Sequence, residues 1–452
     1  MGPVVPARNG AGPVPADLRP GAAPTTRQDG SEVTNPSPAR TTTSAPVDVI
    51  VWGLGTGRHL VRFVRNRKRV RVLALDLDAG DATAVEARLS ARPALLAAWK
   101  RGQLEIVTGP PEQLARSFAA AEGAPVHVHE PALDAAPPSH RRLAATIERI
   151  SSERASARRH AGRMRANLRA NLPTIAASPP MSALAGAARG RAVIVVAAGP
   201  SLSRFLPLLE RAARTAPTVV VDTALPVCAR AGVRVDVAVC VDPHPETTAH
   251  FEGVEPDSVL AYQPFVPPEI LRRYARRCVA APRGDAFWER VAPLLGIPLV
   301  DVVGTVLLYA LQIAEVCRPD AVLLVGADLA LVGGLSHARG CAHARRIDGA
   351  PTTTLRADGT RVPTTFALRR FQAAVEAHLA RTPIRHFALD GGGATLEGAT
   401  MIDERTADDL VTRLAASNGR SDFAAHVATP PTDPDARRAI LEARLAEFDS
   451  VP

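Results

Sequence analysis

The chain has 452 residues, of which 54 are Lys or Arg and 45 are Asp or Glu, so its formal net charge is +9. A chain of this length is expected to form two or three domains, each with its own core. Only 4% of the residues are aromatic, which argues against a surface that stacks nucleic-acid bases. Neither lysine, Lys68 or Lys100, lies in a G-x-x-x-x-G-K-[ST] motif, which excludes a P-loop NTPase.

The cysteines and the hydropathy of the chain exclude further classes of protein. The five cysteines form no C-x-x-C pair, so neither a zinc site nor a disulfide framework is indicated. No stretch of about 18 apolar residues appears, and the first residues lack the apolar segment of a signal peptide. We therefore expect a cytoplasmic protein that neither binds nucleic acid nor inserts into a membrane.

The first third of the chain changes character at residue 47. Residues 1–46 are rich in Pro, Gly, Ala, Ser and Thr without apolar periodicity, which predicts a disordered tail. From 47 to 135, apolar runs that begin near Val47, Arg69, Leu104 and Val126 alternate with helical patterns. Strands alternating with helices indicate a parallel sheet, so 47–135 is predicted to be a Rossmann-like N-terminal domain.

Residues 136–190 are predicted to form a basic helical linker. Between Ser139 and Ile175, nine arginines stand against two glutamates, so most of the net charge lies here. Apolar residues at helical spacing predict one or two helices that end at Pro173 and at Pro179–Pro180. A charged helix most often has a solvated face; the alternative is a wall of arginines that guides an acidic ligand or partner.

A second series of strands and helices begins at Arg191. Strand patterns start at Arg191, Thr218 and Asp236, a helix–strand unit spans 304–328, and the loop-rich segment 333–365 precedes a helix at 366–380. We predict a central domain at 191–402 and a C-terminal helical tail at 403–452 that contains a helix near 436–448. The fold class is thus α/β, with two Rossmann-like parallel-sheet domains joined by the helical linker.

A glycine-rich turn follows the first predicted strand. It contains Gly53, Gly55 and Gly57, and Asp76 follows at the end of the next strand. Glycines let a nucleotide approach the backbone, and an acidic residue at that distance can bind a ribose hydroxyl. A turn of this kind that binds nothing is equally common, so nucleotide binding by the N-terminal domain is one of two interpretations.

The second glycine turn contains Gly199, Pro200, Ser201 and Leu202 after a buried strand. Pro200 suits a first helical turn, and Ser201 can either cap the helix or donate to a phosphate. Three further strands are followed by polar residues, namely Asp222–Thr223, Asp242 and Asp328. Because ligands of an open parallel sheet bind outside the carboxyl ends of its strands, these residues should converge near Ser201.

Two more segments offer groups for binding or catalysis. Gly304 and Thr305 open a helix whose free N–H groups could hold a phosphate or a base carbonyl, or Thr305 could simply be a cap. The loop after Gly333 carries His337 and His343, either of which could be a general base; His244 and His250 are similar candidates. Among these we choose His337, with Asp242 and Asp328, as the catalytic residues.

The ordered set of segments AAGPSL, TALPVCARAGVRVDVAVCVDP, VLLVGADLALVGGLSHA, DGTRVPTTFALRRF and GATLEGATMI resembles the Maf (motility accessory factor) proteins. These share the 6-hydroxymethylpterin diphosphokinase MptE-like domain. Asn167 and Asn171 resemble an Asn-bearing helix that precedes the domain in that family. The resemblance extends over roughly 48–405.

The resemblance implies a glycosyltransferase-like second domain that is similar to bacterial sialyltransferases. It also implies transfer of a nonulosonic acid (sialic, pseudaminic or legionaminic type) from a CMP-sugar to Ser or Thr of a protein acceptor such as flagellin. By the same analogy, Gly199, Pro200 and Ser201 face the donor phosphate, and Gly304 and Thr305 lie near the cytidine.

Two alternatives stay open. An MptE-like pyrophosphokinase would act on a hydroxymethylpterin with ATP and Mg²⁺, which Asp242 and Asp328 would bind; no other cofactor is expected. A nucleotide-binding accessory protein without catalytic turnover is the second.

Overall fold

The computed structural model describes residues 47–65, 69–77, 82–121, 124–129, 131–132, 135–302, 304–415 and 422–450. The predicted tail, residues 1–46, lies outside this range. The chain divides into two compact units, Met1–Ala155 and Ser156–Pro452.

Unit 1 is built on a parallel sheet in which four strands are described, in the order β3-β2-β1-β4. The strands are β1 (Val49–Trp52), β2 (Val72–Leu75), β3 (Leu104–Val107) and β4 (Val126–Val128). Successive side chains of β1 pack on opposite faces: Ile50 and Trp52 belong to one apolar cluster and Val51 to the other. Both faces are covered, because the helices α1 (Val61–Val64), α2 (Ala82–Ser90), α3 (Pro93–Lys100) and α4 (Pro111–Ala120) connect the strands.

The helix α5 (Arg141–Ala177) contains the boundary between the two units, at Ala155. Pro173 lies inside it, so the prediction that a helix ends at Pro173 is wrong. A proline removes one N–H from a helix, and the buried Ile175 and Ala176, packed in the core of unit 2, hold the last turn in place. Arg163, Arg165 and Arg169 are exposed, as expected for a solvated face.

Unit 2 contains a larger parallel sheet with the described strand order β16-β15-β12-β5-β6-β7-β8-β9. Its strands are β5 (Ala192–Val196), β6 (Thr218–Val221), β7 (Val237–Cys240), β8 (Val259–Tyr262), β9 (Arg277–Val279), β12 (Ala321–Val325), β15 (Arg385–Leu389) and β16 (Ala399–Ile402). The strands β5, β6, β7, β8 and β12 are buried along their whole length, as expected when helices cover both faces. Two parallel sheets with connecting helices confirm the predicted α/β class.

The helices of unit 2 pack with apolar residues buried. They are α6 (Leu202–Ala212), α7 (Leu225–Arg230), α8 (Pro268–Arg273), α9 (Ala286–Leu295), α10 (Val306–Val316), α11 (Phe366–Leu379), α12 (Glu404–Ala415), α13 (Phe423–His426) and α14 (Pro434–Ser450). Helix α6 buries Leu202, Phe205 and Leu209 on one face, at helical spacing. Helix α10 is buried nearly all round, so it lies inside the unit.

Two small strand pairs complete unit 2. β10 (Ala281–Pro282) pairs with β11 (Leu299–Val300), and β13 (Thr352–Leu355) pairs antiparallel with β14 (Arg361–Thr364). The hairpin β13–β14 lies in the segment that the sequence predicted as loop-rich. In the described part of the chain, no helix is both long and apolar enough to cross a membrane.

Candidate functional site

A cleft of about 300 Å³ opens where the order of the large sheet reverses. From β5 the chain builds strands outward on one side, and β12 is the first strand on the other. Ligands of parallel sheets bind outside the carboxyl ends of the strands at such a switch point. The predicted residues that line the cleft are Gly199, Asp222, Thr223, Asp242, Gly304, Thr305, Asp328 and His337. The structure therefore brings most of the predicted site together.

The turn after β5 is packed tightly against the end of β12. A Cβ on Gly199 would overlap the carbonyl oxygen of Gly326 and the Oδ2 atom of Asp328. The Gly199 N–H donates to that same Gly326 carbonyl at 2.7 Å, and the Ser201 N–H donates to Asp328 Oδ2 at 2.7 Å. Glycine is thus required here by the neighbouring strand, whether or not a ligand approaches.

The remaining residues of the turn lie next to the cleft and do not line it. Ser201 and Leu202 are buried, and Leu202 packs in the core. The Ser201 hydroxyl is buried beside Gly391. Pro200 is half-buried. A ligand in the cleft therefore meets the backbone of Ala198 and Gly199 before it meets the Ser201 side chain.

Asp328 is a buried carboxyl group at the centre of this packing. Burial raises its pKa, and the nearby Asp390 raises it as well, whereas the Ser201 N–H opposes this shift. The next residue, Leu329, has a φ of +46°, a left-handed conformation that bulky residues rarely adopt. Backbone strain of this kind concentrates at functional sites, because the surrounding structure has to enforce it.

Asp242 and Asp328, the two carboxylates that would bind Mg²⁺ in a pyrophosphokinase, have different hydrogen-bond partners. Asp328 is occupied by the Ser201 N–H, and Asp242, with a half-exposed side chain, accepts the N–H of His244 at 2.9 Å. Among the residues described, no three His, Cys, Asp or Glu side chains are arranged to hold a metal ion. Mg²⁺ is usually held by one or two carboxylates together with substrate phosphates and water, and Asp242 and Asp328 line the same cleft, so the prediction that they bind Mg²⁺ stays untested.

Asp222 and Thr223 form a short turn after β6. Asp222 Oδ1 accepts both the N–H of Thr223 at 2.6 Å and its hydroxyl at 3.0 Å. His250, on the 3₁₀ turn Pro245–Phe251, is buried with its Nδ1 atom 3.9 Å from that oxygen. The sequence marks His250 as a candidate without favouring it over His337; its place in the cleft makes it a candidate ligand-binding residue.

The loop after β12 contributes two more histidines and a serine. The Nδ1 atom of His337 lies 3.0 Å from Ser336 Oγ, and the His343 ring lies between those of His337 and His250, at centroid distances of 6.3 and 4.8 Å. Burial lowers the pKa of His337, and repulsion from His343 and His250 lowers it further. His337 is therefore a neutral imidazole near pH 7, the form that can accept a proton.

The start of α10 forms the opposite wall. Gly304 has a φ of +70°, and Thr305 caps the helix by accepting the N–H of Leu307 at 3.3 Å. Phe371 of α11 lies against Gly304 and lines the cleft with Leu368. Sequence reasoning missed Phe371 and Ser336, since an aromatic residue on a helix and a loop serine carry no signal of their own.

Helix α5 is tied to the loops that follow β7 and β8. Asn167 donates to the carbonyl oxygens of Pro243 and Phe265, and Asn171 donates to those of Pro264 and Val266. Each asparagine satisfies two loop carbonyls that no strand pairs. Asn167 therefore positions the loop that carries Asp242, and both asparagines position the loop after β8.

Side chains of unit 1 occupy the space beside its glycine turn. A Cβ on Gly55 would lie 2.9 Å from the ring of His129, and one on Gly57 would lie 2.8 Å from Leu95. Asp76 accepts the N–H of Leu54 at 3.1 Å and pairs with Arg88 at 2.8 Å. The carboxylate that the sequence assigned to a ribose is thus bonded within the protein, and the prediction that this turn binds a nucleotide stays untested.

Residues 166–334 match the family described as 6-hydroxymethylpterin diphosphokinase MptE-like. This segment is an MptE-like domain. It includes the turn at Gly199, the strands β5–β12 and the first residues of the loop that later carries His337 and His343. The predicted resemblance to the Maf and MptE-like proteins is therefore confirmed.

A solved structure, the Maf glycosyltransferase from Magnetospirillum magneticum AMB-1, is similar to the whole fold. The TM-score is 0.51 at 15% sequence identity, and the match covers 89% of this chain and 64% of the other. At this identity, the likeness shows the fold around the MptE-like domain, and this chain spans less than two thirds of that protein. No curated protein sequence matches the chain.

Proposed function

We propose that the chain is a glycosyltransferase that moves a nonulosonic acid from a CMP-sugar to a serine or threonine hydroxyl of a protein, with flagellin as the expected acceptor. The observation that carries the proposal is the convergence of four strand ends on one cleft that also holds a neutral histidine, His337. The likeness of the fold to a Maf glycosyltransferase supports the reaction class.

The nucleotide is assigned to the wall formed by Gly304, Thr305 and Phe371. Thr305 and Val306 begin a helix of 11 residues, and the N-terminus of a helix favours phosphate through its free N–H groups. The start of α6 is less suited to this task, because Asp328 already takes the Ser201 N–H. Phe371 offers an apolar face to the cytosine ring beside Gly304.

His337 is assigned the role of general base. The acceptor oxygen attacks the anomeric carbon of the sugar while the bond from that carbon to the phosphate oxygen breaks. The hydroxyl proton passes to a ring nitrogen of His337, and CMP leaves with the electron pair of the broken bond. The N–H of Val306 and the positive end of the helix stabilise the charge that develops on the departing phosphate.

Calorimetry with CMP tests the binding step. CMP should bind to the intact chain, and Phe371→Ala should weaken binding about ten-fold, because stacking on an aromatic ring contributes about 1–3 kcal/mol. Leu355→Ala, a half-exposed position on the β13–β14 hairpin, is the matched control and should bind like the wild type. If the wild type releases no heat with CMP, the proposal is wrong.

The transfer step needs its own test. His337→Gln should lower the transfer rate about 10²–10⁴-fold while CMP affinity stays unchanged, because a general base acts only in the transition state. The exposed His426→Gln serves as a control with the same substitution outside the cleft. A His337→Gln chain that transfers at the wild-type rate would remove His337 from the mechanism.

The alternative, a diphosphokinase, is supported by the description of the family that residues 166–334 match. Asp242 and Asp328, which line the same cleft, would bind the Mg²⁺ that it requires. ATP-dependent conversion of a hydroxymethylpterin would decide in its favour. An accessory protein without turnover would be indicated if neither unit bound any nucleotide.

A further inference from the structure

Two histidines in the cleft have no role in the proposed transfer reaction. His250 lies on the turn after β7, and His343 lies on the loop after β12. Their rings meet edge to face, with centroids 4.8 Å apart and planes at 89°. Both line the same cleft as His337, so two distant segments of the chain place imidazoles at one point next to the proposed base.

His250 is buried without satisfying its polar atoms. It is 3% exposed, and neither of its ring nitrogens has a hydrogen-bond partner. The nearest carboxylate, Asp222, lies 3.9 Å away, which is too long for a hydrogen bond, and its Oδ1 atom is already used by Thr223. Buried polar groups in native proteins are nearly always paired, so an unpaired imidazole facing a cleft indicates a ligand.

The chemistry of the neighbouring groups indicates what that ligand is. The pair lacks a third metal ligand in a suitable place among the described side chains, which argues against a metal ion. His337 lies near both rings with Arg345 beside it, Asp222 lies near His250 on the turn after β6, and Asp242 also lines the cleft. An anion that accepts an N–H from each imidazole would satisfy His250 and would offset the mutual repulsion of the histidines.

The proposed donor carries two anionic groups. Its phosphate is assigned to the start of α10, which leaves the carboxylate of the sugar acid. That carboxylate is bonded to the anomeric carbon, and it must therefore lie near the base that acts there. We infer that His250 and His343 form the subsite that binds the carboxylate of the donor sugar acid; this inference rests on the proposed function.

Each imidazole N–H that donates to the carboxylate adds a charge-assisted hydrogen bond, which an uncharged group in the same place does not provide. An acidic sugar nucleotide should therefore bind more tightly than its uncharged ester. A neutral sugar nucleotide gains nothing from this effect.

The test compares CMP-N-acetylneuraminic acid with its carboxyl methyl ester and with CMP, by calorimetry on the full chain. The wild type should bind the acid at least ten-fold more tightly than the ester. His250→Gln and His343→Gln should each bring the acid and the ester to within about two-fold. His426→Gln, an exposed histidine, should keep the wild-type ratio.

His343 lies on a half-buried loop position, so its variant keeps the test valid if the buried His250 variant fails to fold. Equal affinities for the acid and the ester, together with binding of CMP, overturn the carboxylate subsite and leave the proposed function standing. No binding of any of the three compounds overturns both. A preference for the acid that survives in both histidine variants also overturns the assignment of these residues.

Discussion

The two glycine turns of this chain have similar hydrogen bonds but different surroundings. In each, an aspartate from a neighbouring strand end accepts a backbone N–H of the turn: Asp76 from Leu54 in unit 1, and Asp328 from Ser201 in unit 2. In each, the turn lies where the strand order of its sheet reverses. The two turns thus share an acidic partner, although that partner is 22 positions away in unit 1 and 127 positions away in unit 2.

The difference lies in the residues that come after the adjacent strand. After β4, the ring of His129 and the side chain of Ala132 pack onto Gly53 and Gly55. After β12, the corresponding residues are Gly326 and Ala327, whose small size leaves the cleft open. The residues after the neighbouring strand therefore fill the space beside the turn of unit 1 and leave a cleft beside the turn of unit 2.

The aspartates differ as well. Asp76 is balanced by Arg88, an ion pair at 2.8 Å. Asp328 has Asp390 for a neighbour and a pKa raised by burial. The closed turn of unit 1 is stabilised by charge pairing, whereas the open turn of unit 2 carries an uncompensated acidic group. Four experiments would test this difference between the turns.

The largest effect is expected at Gly199. Gly199→Ala should destabilise unit 2 by about 3 kcal/mol or more, since a methyl group there overlaps the Gly326 backbone, which cannot move out of the sheet. Gly162→Ala, in an open position on α5, should instead stabilise the chain by up to about 1 kcal/mol. Denaturant unfolding measures both. A tolerated Gly199→Ala would mean that the Gly326 backbone can move away from this turn.

Next come the two aspartates. Asp76→Asn should cost about 2 kcal/mol, because it removes a buried charge that Arg88 pairs. Asp328→Asn should cost less than about 1 kcal/mol, because it keeps an acceptor for Ser201 while it relieves repulsion from Asp390. Hydrogen exchange in β1 and β5 reads the two units separately. Equal losses of unfolding free energy in the two variants would show that the turns do not differ electrostatically in this way.

Acid should weaken unit 1 through His59. Burial and the stacked His129 lower the pKa of His59 from 6.5 to about 4. The unfolded chain therefore binds more protons than the folded one between those values, and stability falls as pH drops from 6.5 to 4. Between about pH 7 and about pH 5, the melting temperature of the wild type should fall a few degrees more than that of His59→Gln. Parallel falls would show that His59 does not titrate in this way.

The smallest effect concerns exchange rates. Saturating CMP should slow hydrogen exchange several-fold at the backbone near Thr305 and Val306, and leave the segment from Gly53 to Gly57 unchanged, because that turn is already covered by His129. Mass spectrometry of peptides from the same sample compares both turns directly. Protection at Gly53–Gly57 would show that the closed turn opens for nucleotides.

The sequence predicts the architecture of unit 2 well because the central strands of its sheet are fully buried. A run such as Val193–Val196 between turn residues has few alternatives to a central parallel strand. The hairpin β13–β14 was missed because Thr-rich segments with Pro363 at a strand position resemble loops. The helix through Pro173 was misplaced because tertiary packing overrides a local helix breaker.

The site was predicted in part for a similar reason. Residues that directly follow strands, such as Asp222 and Asp328, are placed by topology and can be read from the chain. Phe371 and Ser336 reach the cleft through long connections whose path no local pattern specifies. The Asp328–Ser201 bond was also out of reach, since it joins residues 127 positions apart.

The pairing of β5 with β12 has a consequence for how the protein is made. Ala192 lies beside Ala321 in the sheet, so about 130 residues must be synthesised before the two central strands can meet. Until then, one apolar edge of β5 stays unpaired, and the growing chain exposes a surface to which other chains can add strands. Yield in rapid overexpression should therefore depend on translation speed and chaperone supply more than on the final stability of the fold.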